Sequence, residues 1–246
     1  STMSLLSILE QLQAFDTALL ANTIGYIDAT PPEEFYMGGS IRCLTPTLEP
    51  TVGIAFTCEL DSSTPTRQTA NEHVEQDAGF YPQLEAMGRI AEPLVWVVKA
   101  VGSRPDHECI LGDGMATLLH SVGCRGVVTD GGVRDLKGLL AVPFAAYGRG
   151  TTIHHCALRF RSFNRPVEIG GIWVRPGEVI HADSEGVIKI PTTCLEILAE
   201  RATQMRSFEH DVHALFRRPD LPLRQKSDYV RASLEKHGFA PAGHRT

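Results

Sequence analysis

The chain has 246 residues, a formal net charge of -6 at pH 7, and hydrophobic and charged fractions of 43% and 21%. These values are ordinary for a globular protein, and the length favours one or two domains with a full core. The acidic balance argues against a nucleic-acid-binding surface, and no apolar run approaches the length of a membrane span. We therefore expect no nucleic-acid partner and no membrane partner.

The cysteines show neither a disulfide framework nor a zinc motif. They lack the close paired spacing of zinc ligands, and most have an apolar or β-forming neighbour, as buried small hydrophobic residues do. The N-terminus also lacks a basic region followed by a long apolar stretch. Reduced thiols without a secretory signal predict a cytoplasmic protein. The six residues are Cys43, Cys58, Cys109, Cys124, Cys156 and Cys194.

The first third of the chain predicts short helices followed by a strand. Asp16 is a favourable start for a helix. Residues 52–60 predict a strand in which Gly53 marks a close approach of another backbone. The polar stretch 62–77 predicts a variable connection that leads into a helix near residues 81–87.

Residues 111–136, with the sequence LGDGMATLLHSVGCRGVVTDGGVRDL, hold most of the functional information. After Asp113, apolar residues recur at the i, i+3, i+4, i+7 spacing of a helix with one buried face. Gly123 ends this helix, and residues 127–129 predict a strand that enters a turn at 130–132. The apolar residues of the predicted helix face are Met115, Leu118, Leu119 and Val122.

An apolar run of strand length at residues 94–101 precedes this segment, so the local unit is strand, loop, helix, strand. Such a crossover usually connects parallel strands. Asp113 and the pair Arg134–Asp135 would then lie at one edge of the sheet, where open α/β proteins bind their substrates. The stretch 102–110 is longer than the tight turn expected here and is interpreted as an insertion.

Each of these residues also has a purely structural interpretation. Asp113 could cap the helix, and Arg134 with Asp135 could form a solvated ion pair worth little. The glycines at 131 and 132 could form only a turn. Together, however, two carboxylates and one guanidinium around a helix N-terminus suit a hard divalent cation and a small carboxylate.

The segment GDGMA…GCRGVVTDGGVRD resembles the signature of the RraA-like family. Residues 37–57 (MGGSIRCLTPTLEPTVGIAFT) and 170–191 (GGIWVRPGEVIHADSEGVIKIP) are similar to other parts of that family, so about 170 residues match in order. The family includes divalent-metal-dependent 4-hydroxy-4-methyl-2-oxoglutarate/4-carboxy-4-hydroxy-2-oxoadipate aldolases. It also includes non-catalytic proteins named as regulators of RNase E activity.

The resemblance implies an α/β fold with an RraA-like swivelling β/β/α core, and rings of three subunits with sites between neighbours. We expect an RraA-like catalytic domain over residues 1–192 and a helical C-terminal arm and tail over 193–246.

In the arm, Thr193 is expected to cap a long helix that ends at residues 217–219. A second helix is expected over 228–236, and a disordered tail from Gly238. Because the apolar stripe of the long helix follows what looks like a complete core, we expect it to pack across a subunit boundary. The expected assembly is a trimer or a dimer of trimers.

The resemblance also implies roles for the residues of the signature. Asp135 would bind Mg²⁺ or Mn²⁺ directly, and Asp113 would take part in catalysis by holding metal-bound waters. Arg134 would pair with a 2-oxo acid substrate and stabilise its enolate oxygen, while backbone amides at the helix start would bind the substrate carboxylate. The implied substrate-binding residues are Gly112, Asp113, Gly114, Met115 and Arg134.

The implied activity is cleavage of a 4-hydroxy-2-oxo acid to pyruvate and a second carbonyl compound. Oxaloacetate decarboxylation should accompany it, because the same enolate forms when oxaloacetate loses CO₂. The alternative is a non-catalytic binding protein of the ribonuclease-regulator type. The presence of both Asp113 and Asp135 counts against that alternative, because such a protein needs no metal site.

Several other polar residues are given structural or minor roles. Adjacent His154 and His155 on a strand point to opposite faces, so they cannot easily share one ion. Asp183 is expected to stabilise a turn through its side chain. Four acidic residues are candidates for an acid or base that a neighbouring subunit contributes to the site: Glu33, Glu34, Glu200 and Glu209.

Overall fold

The structure is a computed structural model that describes residues 2–63 and 79–239. The helices in these ranges are α1 (Leu5–Leu12), α2 (Thr17–Ile27), α3 (Phe80–Met87), α4 (Asp113–Ser121), α5 (Leu136–Ala141), α6 (Leu198–Phe216) and α7 (Leu223–Lys236), with a 3₁₀ turn at Pro32–Glu34. The strands are β1 (Arg42–Cys43), β2 (Thr51–Asp61), β3 (Leu94–Val101), β4 (Glu108–Leu111), β5 (Cys124–Thr129), β6 (Gly132–Val133), β7 (Ala145–Gly148), β8 (His154–His155), β9 (Arg159–Phe163), β10 (Val167–Ile169), β11 (Ile172–Val174), β12 (Val179–Asp183) and β13 (Gly186–Ile190).

A mixed sheet forms the centre of the fold, in the order β1-β7-β5-β3-β2-β12-β13. Strands β2, β3, β5 and β7 run parallel, whereas β1, β12 and β13 are antiparallel to their neighbours. The long strand β2 pairs with β12 through its first residues and with β9 through its last ones. The parallel pairing of β3 with β5 confirms the predicted crossover unit. The α/β class with a mixed sheet is confirmed.

Side chains of β3 alternate between two hydrophobic layers because successive residues of a strand face opposite sides. Trp96 and Val98 pack with helices α3, α4 and α5, and Val95 and Val97 pack with the β10–β11 hairpin on the other side. The side chains of all four residues are fully buried. This explains why the strand is a nearly continuous apolar run rather than an alternating one. At Gly53, a Cβ would lie 2.7 Å from the carbonyl oxygen of Pro93, which confirms the predicted close approach.

The stretch 102–110, interpreted from the sequence as an insertion, contains a strand of the core. Its residues from Glu108 onward form β4, which is buried throughout and pairs in parallel with both β6 and β8. These three short strands make a second sheet. The insertion prediction is therefore wrong for this part, and β4 leads directly into the signature at Gly112. Of the predicted connection over 62–77, residues 64–77 lie outside the described residues.

The C-terminal arm packs back on the same chain. Helix α6 begins at Leu198 rather than near Thr193, whose hydroxyl instead donates to Asp28 Oδ1 at 2.6 Å. The apolar stripe of α6 is buried against α1 and α2, so the expectation that this stripe packs across a subunit boundary is wrong. The residues of the buried stripe are Leu198, Ala202, Met205, Phe208 and Val212.

Two further expectations about the C-terminal part can be compared with the structure. Helix α7 begins at Leu223, five residues before the predicted start at Asp228. Phe239, in the tail expected to be disordered, is buried against Tyr26 and Arg201, while residues 240–246 lie outside the described ranges. The boundary at residue 192 stays a prediction. In the described ranges, no helix combines the length and apolarity needed to span a bilayer.

The cysteines behave as the sequence predicts. All six are free, and five of them are buried. Burial raises the pKa of the Cys124 thiol to about 12, so it stays protonated and unreactive at neutral pH. These thiols therefore act as small apolar side chains in the core.

Candidate functional site

Two strands of the second sheet bring the signature residues together. Strand β4 ends at Leu111 and β6 ends at Val133, and the two strands are parallel neighbours. The backbone N–H of Arg134 donates to the carbonyl of Leu111 at 3.0 Å. The chain segments that follow the two strands, Gly112–Asp113 and Arg134–Asp135, therefore lie side by side.

Asp135, rather than Asp113, provides the carboxylate at the start of α4. Gly112 is the N-cap residue and Asp113 is the first helical residue, without a side-chain capping bond. Asp135 Oδ2 accepts a hydrogen bond from the backbone N–H of Asp113 at 3.2 Å. The interpretation of Asp113 as the cap is therefore wrong. The cap comes from a residue 22 positions further along the chain.

Glycine at position 112 is required for this contact. A Cβ at Gly112 would lie 2.7 Å from Asp135 Oδ2 and 3.5 Å from Arg134 Nε. Any other residue would have to push the carboxylate away from the helix start. The bare backbone at Gly112 thus lets Asp135 and Arg134 approach α4 closely.

Asp135 itself has an unusual backbone conformation. Its φ and ψ angles of 61° and 43° lie in the left-handed region, and its carbonyl accepts from Leu139 at the start of α5. A residue other than glycine in this region costs roughly 1 kcal/mol or more, although aspartate tolerates it better than most. The conformation directs the side chain toward α4, which is the kind of strain found at functional sites.

The first turn of α4 offers unused backbone donors. Its first intrahelical hydrogen bond runs from Ala116 N–H to Gly112 O, at 3.1 Å. The amides of Gly114 and Met115 have no hydrogen-bond partner among the residues that the structure describes. Free N–H groups and the positive end of the helix dipole make this turn suited to an anion such as a carboxylate.

The predicted buried face of α4 is partly wrong. Leu119 is buried, but Leu118 is 38% exposed and Ala116 takes the inward position instead. Met115 and Val122 are partly buried against the same core. The face of α4 that packs on the core is therefore centred on Ala116 and Leu119, rather than on the predicted set that included Leu118.

The side chain of Asp113 lies over α5. A Cβ at Gly138 would overlap the Asp113 carboxylate, with 2.6 Å to its Cβ atom. Gly138 lies three residues after Asp135, at the place where α5 passes closest to Asp113. The sequence reasoning missed Gly138, although a glycine inside the helical segment LKGLLA is an available signal because it weakens a helix.

Arg134 is oriented by a backbone carbonyl. Its Nη1 donates to the carbonyl of Ile153 at 3.0 Å, whereas its Nε lies 3.8 Å from Asp135 Oδ2. The side chains of Arg134 and Asp135 are 43% and 41% exposed, and so long and exposed an ion pair contributes little stability. Most of the five N–H donors of Arg134 therefore remain available to a ligand.

The two glycines before Arg134 serve close packing rather than a turn. Neither has a positive φ. A Cβ at Gly131 would lie 2.9 Å from the Ile110 side chain, and one at Gly132 would overlap the side chain of Thr152. The turn interpretation is wrong for Gly132, which begins β6. The close packing lets the segment that carries Ile153 run beside β6, with Thr152 N–H bonded to Val133 O at 3.1 Å.

The residues present fit a divalent cation that retains most of its water. In the described residues, no group of three or more His, Cys, Asp or Glu side chains is arranged to hold a metal. Asp135 uses one carboxylate oxygen for α4, and its Oδ1 has no partner among those residues. Asp113, in the adjacent segment, adds a second exposed carboxylate. Mg²⁺ commonly binds through one or two carboxylates and several waters, so this donor set suits it.

Of the two histidines that the sequence reasoning set aside, one contacts this site. His155 Nε2 is 3.3 Å from Met115 Sδ in the first turn of α4. His154 Nδ1 is 2.7 Å from Oε2 of the buried Glu108. That the two rings do not share one ion stays a prediction. Sequence spacing could not reveal these contacts, since β4 and β8 are 46 residues apart.

The other acidic candidates lie on different elements. Glu33 and Glu34 are exposed in the 3₁₀ turn, and Glu200 and Glu209 are on α6. Glu209 accepts from Asn22 at 3.3 Å. Their assignment to the site of a neighbouring subunit stays a prediction. Asp183 has the expected turn role, because its Oδ1 accepts from Glu185 N–H at 2.9 Å.

The chain thus has an α/β core in which a carboxylate, a guanidinium and a helix start lie together at one sheet edge. Comparison with known families agrees, since residues 28–189 match the RraA-like family, described as Aldolase/RraA. The chain belongs to this family. The match begins after the two N-terminal helices and covers the whole signature.

Two curated relatives share about a third of their aligned residues with the chain. A protein of Halalkalibacterium halodurans is 31% identical over 125 residues, which are 50% of this chain and 59% of that protein. A protein of Albidiferax ferrireducens is 32% identical over 111 residues, 41% of this chain and 57% of that protein. Both are provisionally named as 4-hydroxy-4-methyl-2-oxoglutarate aldolases. The aligned parts thus span less than two thirds of each relative.

Solved structures confirm the RraA-like fold. An uncharacterized protein of Pseudomonas syringae pv. tomato has a TM-score of 0.64 at 21% identity, with 92% of this chain and 99% of that one covered. Streptomyces coelicolor RraAS2, described as an unusual member of the RNase ES inhibitor RraA family, has a TM-score of 0.65 at 20% identity, with 87% and 98% covered. At these identities the likeness concerns the fold alone.

Proposed function

We propose that the protein is a divalent-metal-dependent pyruvate aldolase that cleaves a 4-hydroxy-2-oxo acid to pyruvate and a second carbonyl compound. One observation carries the proposal: Asp135 lies against the N-terminus of α4, beside the exposed Asp113 and Arg134, and one of its carboxylate oxygens has no partner among the described residues. The names of the two curated relatives support the same reaction class.

The proposed roles follow from what each group can donate or accept. Asp135 would hold Mg²⁺ or Mn²⁺ through its carboxylate, and Asp113 would accept hydrogen bonds from the waters of the ion. When bound, such an ion would supply Lewis-acid stabilisation to the 2-oxo group of the substrate. The free amides of Gly114 and Met115 would bind the substrate carboxylate, with Gly112 leaving room for it.

Arg134 would stabilise the negative charge that develops on the 2-oxo oxygen when the C3–C4 bond breaks. Its guanidinium is already fixed by the Ile153 carbonyl at 3.0 Å, so little reorganisation is needed as the charge develops. The same pyruvate enolate forms when oxaloacetate loses CO₂. The proposal therefore includes oxaloacetate decarboxylation as a second activity.

Pyruvate release from a panel of 4-hydroxy-2-oxo acids and from oxaloacetate tests the proposal directly. We expect release that is lost after exhaustive chelation and restored by Mg²⁺ or Mn²⁺. Full activity after chelation would contradict a metal-dependent reaction. Absence of release from every substrate, in folded and metal-loaded protein, would favour a non-catalytic binding protein of the ribonuclease-regulator type instead.

We further propose that the protein assembles as a trimer or a dimer of trimers. One side of the site is open to solvent in the single chain, because four of its residues are exposed: Asp113, Gly114, Arg134 and Asp135. A neighbouring subunit that covers this side would complete it. Light scattering at micromolar concentration should give the mass of three or six chains, and a monomer would contradict both the assembly and the shared site.

A further inference from the structure

The two helices that begin at the site each pack a glycine against the first carboxylate of the other. Asp113 is the first residue of α4, and Asp135 is the N-cap residue of α5. The Asp135 carboxylate lies against Gly112 at the start of α4, where a Cβ would be 2.7 Å from its Oδ2. The Asp113 carboxylate lies against Gly138 of α5, where a Cβ would be 2.8 Å from its Cγ. The two contacts are therefore reciprocal.

The two carboxylates differ in what else holds them. Asp135 Oδ2 accepts a hydrogen bond from the backbone N–H of Asp113 at 3.2 Å. Asp113 itself bonds through its backbone, since its carbonyl accepts from the Thr117 hydroxyl at 2.8 Å. Within residues 2–63 and 79–239, the carboxylate of Asp113 has neither a hydrogen bond nor an ion pair. Its direction therefore depends on its packing against Gly138.

A methyl group at position 138 could not be accommodated by a rotation of the Asp113 side chain alone. A Cβ there would lie 2.6 Å from the Cβ of Asp113. Rotation about χ1 moves the carboxylate but leaves the Cβ in place, so the backbone of α4 or α5 would also have to shift. That backbone carries the Asp113 N–H, which bonds Asp135, and leads into the amides of Gly114 and Met115.

The helix itself gives no reason for a glycine at position 138. The φ angle of Gly138 is not positive, so an L-residue could adopt the same backbone conformation. A glycine inside a helix is less favourable than an alanine, and α5 has only six residues. The reason for Gly138 therefore lies outside α5, in its contact with Asp113.

We propose that Gly138 is a positioning residue, because the space left by its missing side chain fixes the direction of the Asp113 carboxylate. This inference rests on the proposed function, in which Asp113 accepts hydrogen bonds from the waters of the divalent ion. A carboxylate without hydrogen bonds of its own keeps one direction only if its surroundings exclude the others. An added methyl group at 138 would redirect Asp113 while leaving its charge unchanged.

The first test is a cycle of melting temperatures and needs no activity. Gly138→Ala is compared in the wild-type chain and in Asp113→Gly, which has no Cβ at position 113. We expect the alanine to lower the melting temperature of the wild type, because of the overlap. In Asp113→Gly it should raise the melting temperature, because alanine favours a helix. An equal decrease in both backgrounds would show that Gly138 serves the packing of α5 alone, and would overturn the proposal.

The second test measures what the direction of Asp113 does for the ion and for the reaction. In Gly138→Ala, the affinity for Mn²⁺ measured by calorimetric titration should fall about 10- to 100-fold, as for loss of an outer contact of a metal site. The kcat of pyruvate release should fall about 10²-fold. Leu140→Ala is the control, because Leu140 is on the same helix, about 200° around its axis, and 36% exposed. It should change neither quantity.

The outcomes separate the proposal from its alternatives. Unchanged Mn²⁺ affinity and kcat in folded Gly138→Ala would overturn the positioning role. If Gly138→Ala does not fold, the double variant Asp113→Gly/Gly138→Ala decides, since it lacks the overlap and should fold; an unfolded double variant would contradict the proposal. A wild-type chain that neither binds Mn²⁺ nor releases pyruvate would contradict the proposed function, and that result is visible before any variant is measured.

Discussion

Two polar clusters of this fold differ in how completely their hydrogen-bonding groups are used. The buried cluster consists of Thr17, Thr51, Tyr147, His181 and Asp183, where α2 meets β12, and the edge cluster consists of Asp113, Arg134 and Asp135. Each cluster contains at least one carboxylate close to a helix start. Within residues 2–63 and 79–239, only the edge cluster keeps donors and acceptors without a protein partner.

In the buried cluster, every group has a partner within the protein. Asp183 accepts from Thr17 N–H at 2.8 Å through one oxygen and from Glu185 N–H at 2.9 Å through the other. Burial lowers the pKa of His181, so the ring is neutral, and Nε2 donates to the Leu12 carbonyl while Nδ1 accepts from the Thr17 hydroxyl. Tyr147 donates to the Ala182 carbonyl. Hydrogen bonding that is complete within the protein stabilises the structure but leaves no donor or acceptor in this cluster for a ligand.

In the edge cluster, the same kinds of group are held by the backbone and left partly unpaired. Asp135 uses one oxygen, Arg134 uses one donor on Ile153, and the amides of Gly114 and Met115 have no partner in the described part of the chain. The comparison teaches that a charged residue does not mark a site by itself. A site is identified by rigidly held groups whose hydrogen-bond donors or acceptors are not used by the described protein. If the two clusters differ in this way, substitutions in the edge cluster should reduce activity, and a substitution in the buried cluster should reduce stability.

The largest effect is expected for Asp135→Asn. Asparagine tolerates the left-handed conformation and can still accept from Asp113 N–H, but it lacks the charge that a cation needs. Pyruvate release should fall by about 10³-fold or more, because metal stabilisation worth several kcal/mol is lost. Calorimetric titration with Mn²⁺ should show no binding, while the free energy of unfolding changes by less than about 1 kcal/mol. Wild-type turnover in this variant would show that the metal is held elsewhere.

Arg134→Lys should have the next largest effect. A lysine offers a point charge without the planar fork of donors, so it cannot hold the Ile153 carbonyl and the substrate oxygen together. We expect kcat to fall about 10²- to 10³-fold, as for loss of one preorganised donor. Oxalate, which resembles the planar enolate, should inhibit the variant less than the wild type. If Arg134 only pairs with Asp135, melting temperature should fall instead, with kcat and oxalate inhibition retained.

Gly112→Ala tests the geometry rather than the chemistry of the edge cluster. The new Cβ would come within 2.7 Å of Asp135 Oδ2, so the carboxylate must move away from α4. A displacement of about 1 Å in a reacting group can cost about 10²-fold in rate, and we expect a loss of that size in kcat. Gly39→Ala is the matched control, because a Cβ there meets no atom of the described residues within 4 Å. Equal activity of the two variants would mean that the contact between Gly112 and Asp135 has no catalytic role.

Local patterns predict the central unit of this fold but not its second sheet. The apolar run that became β3 and the helical spacing of α4 lie in continuous stretches of sequence, so their type and order could be predicted. Strands β4, β6 and β8 have only two to four residues, and they exist because distant segments pair. The stripe of α6 shows the same limit, since periodicity reveals an apolar face but not the surface that covers it.

The candidate site shows a similar division. The sequence pointed to Asp113, Arg134 and Asp135, because charged residues that follow predicted strands of one unit meet at a sheet edge. It left open that Asp113 caps the helix, whereas the carboxylate at the helix start comes from Asp135. A glycine inside a helical segment is a signal for Gly138, but its contact with Asp113 could not be predicted, nor could that of His154 with Glu108, because both depend on how segments far apart in sequence approach one another.

The smallest effect on activity is expected for Asp183→Asn in the buried cluster. Asparagine presents an NH₂ group toward one of the two backbone donors, Thr17 N–H or Glu185 N–H, so that donor loses its partner. A buried unpaired donor costs about 1–3 kcal/mol, and the urea midpoint should fall accordingly. Activity at temperatures well below the transition should stay close to that of the wild type, because Asp183 belongs to the saturated cluster. A large fall in kcat without loss of stability would show that the buried cluster also supports the site, and that saturation of hydrogen bonds does not separate structural from functional carboxylates in this fold.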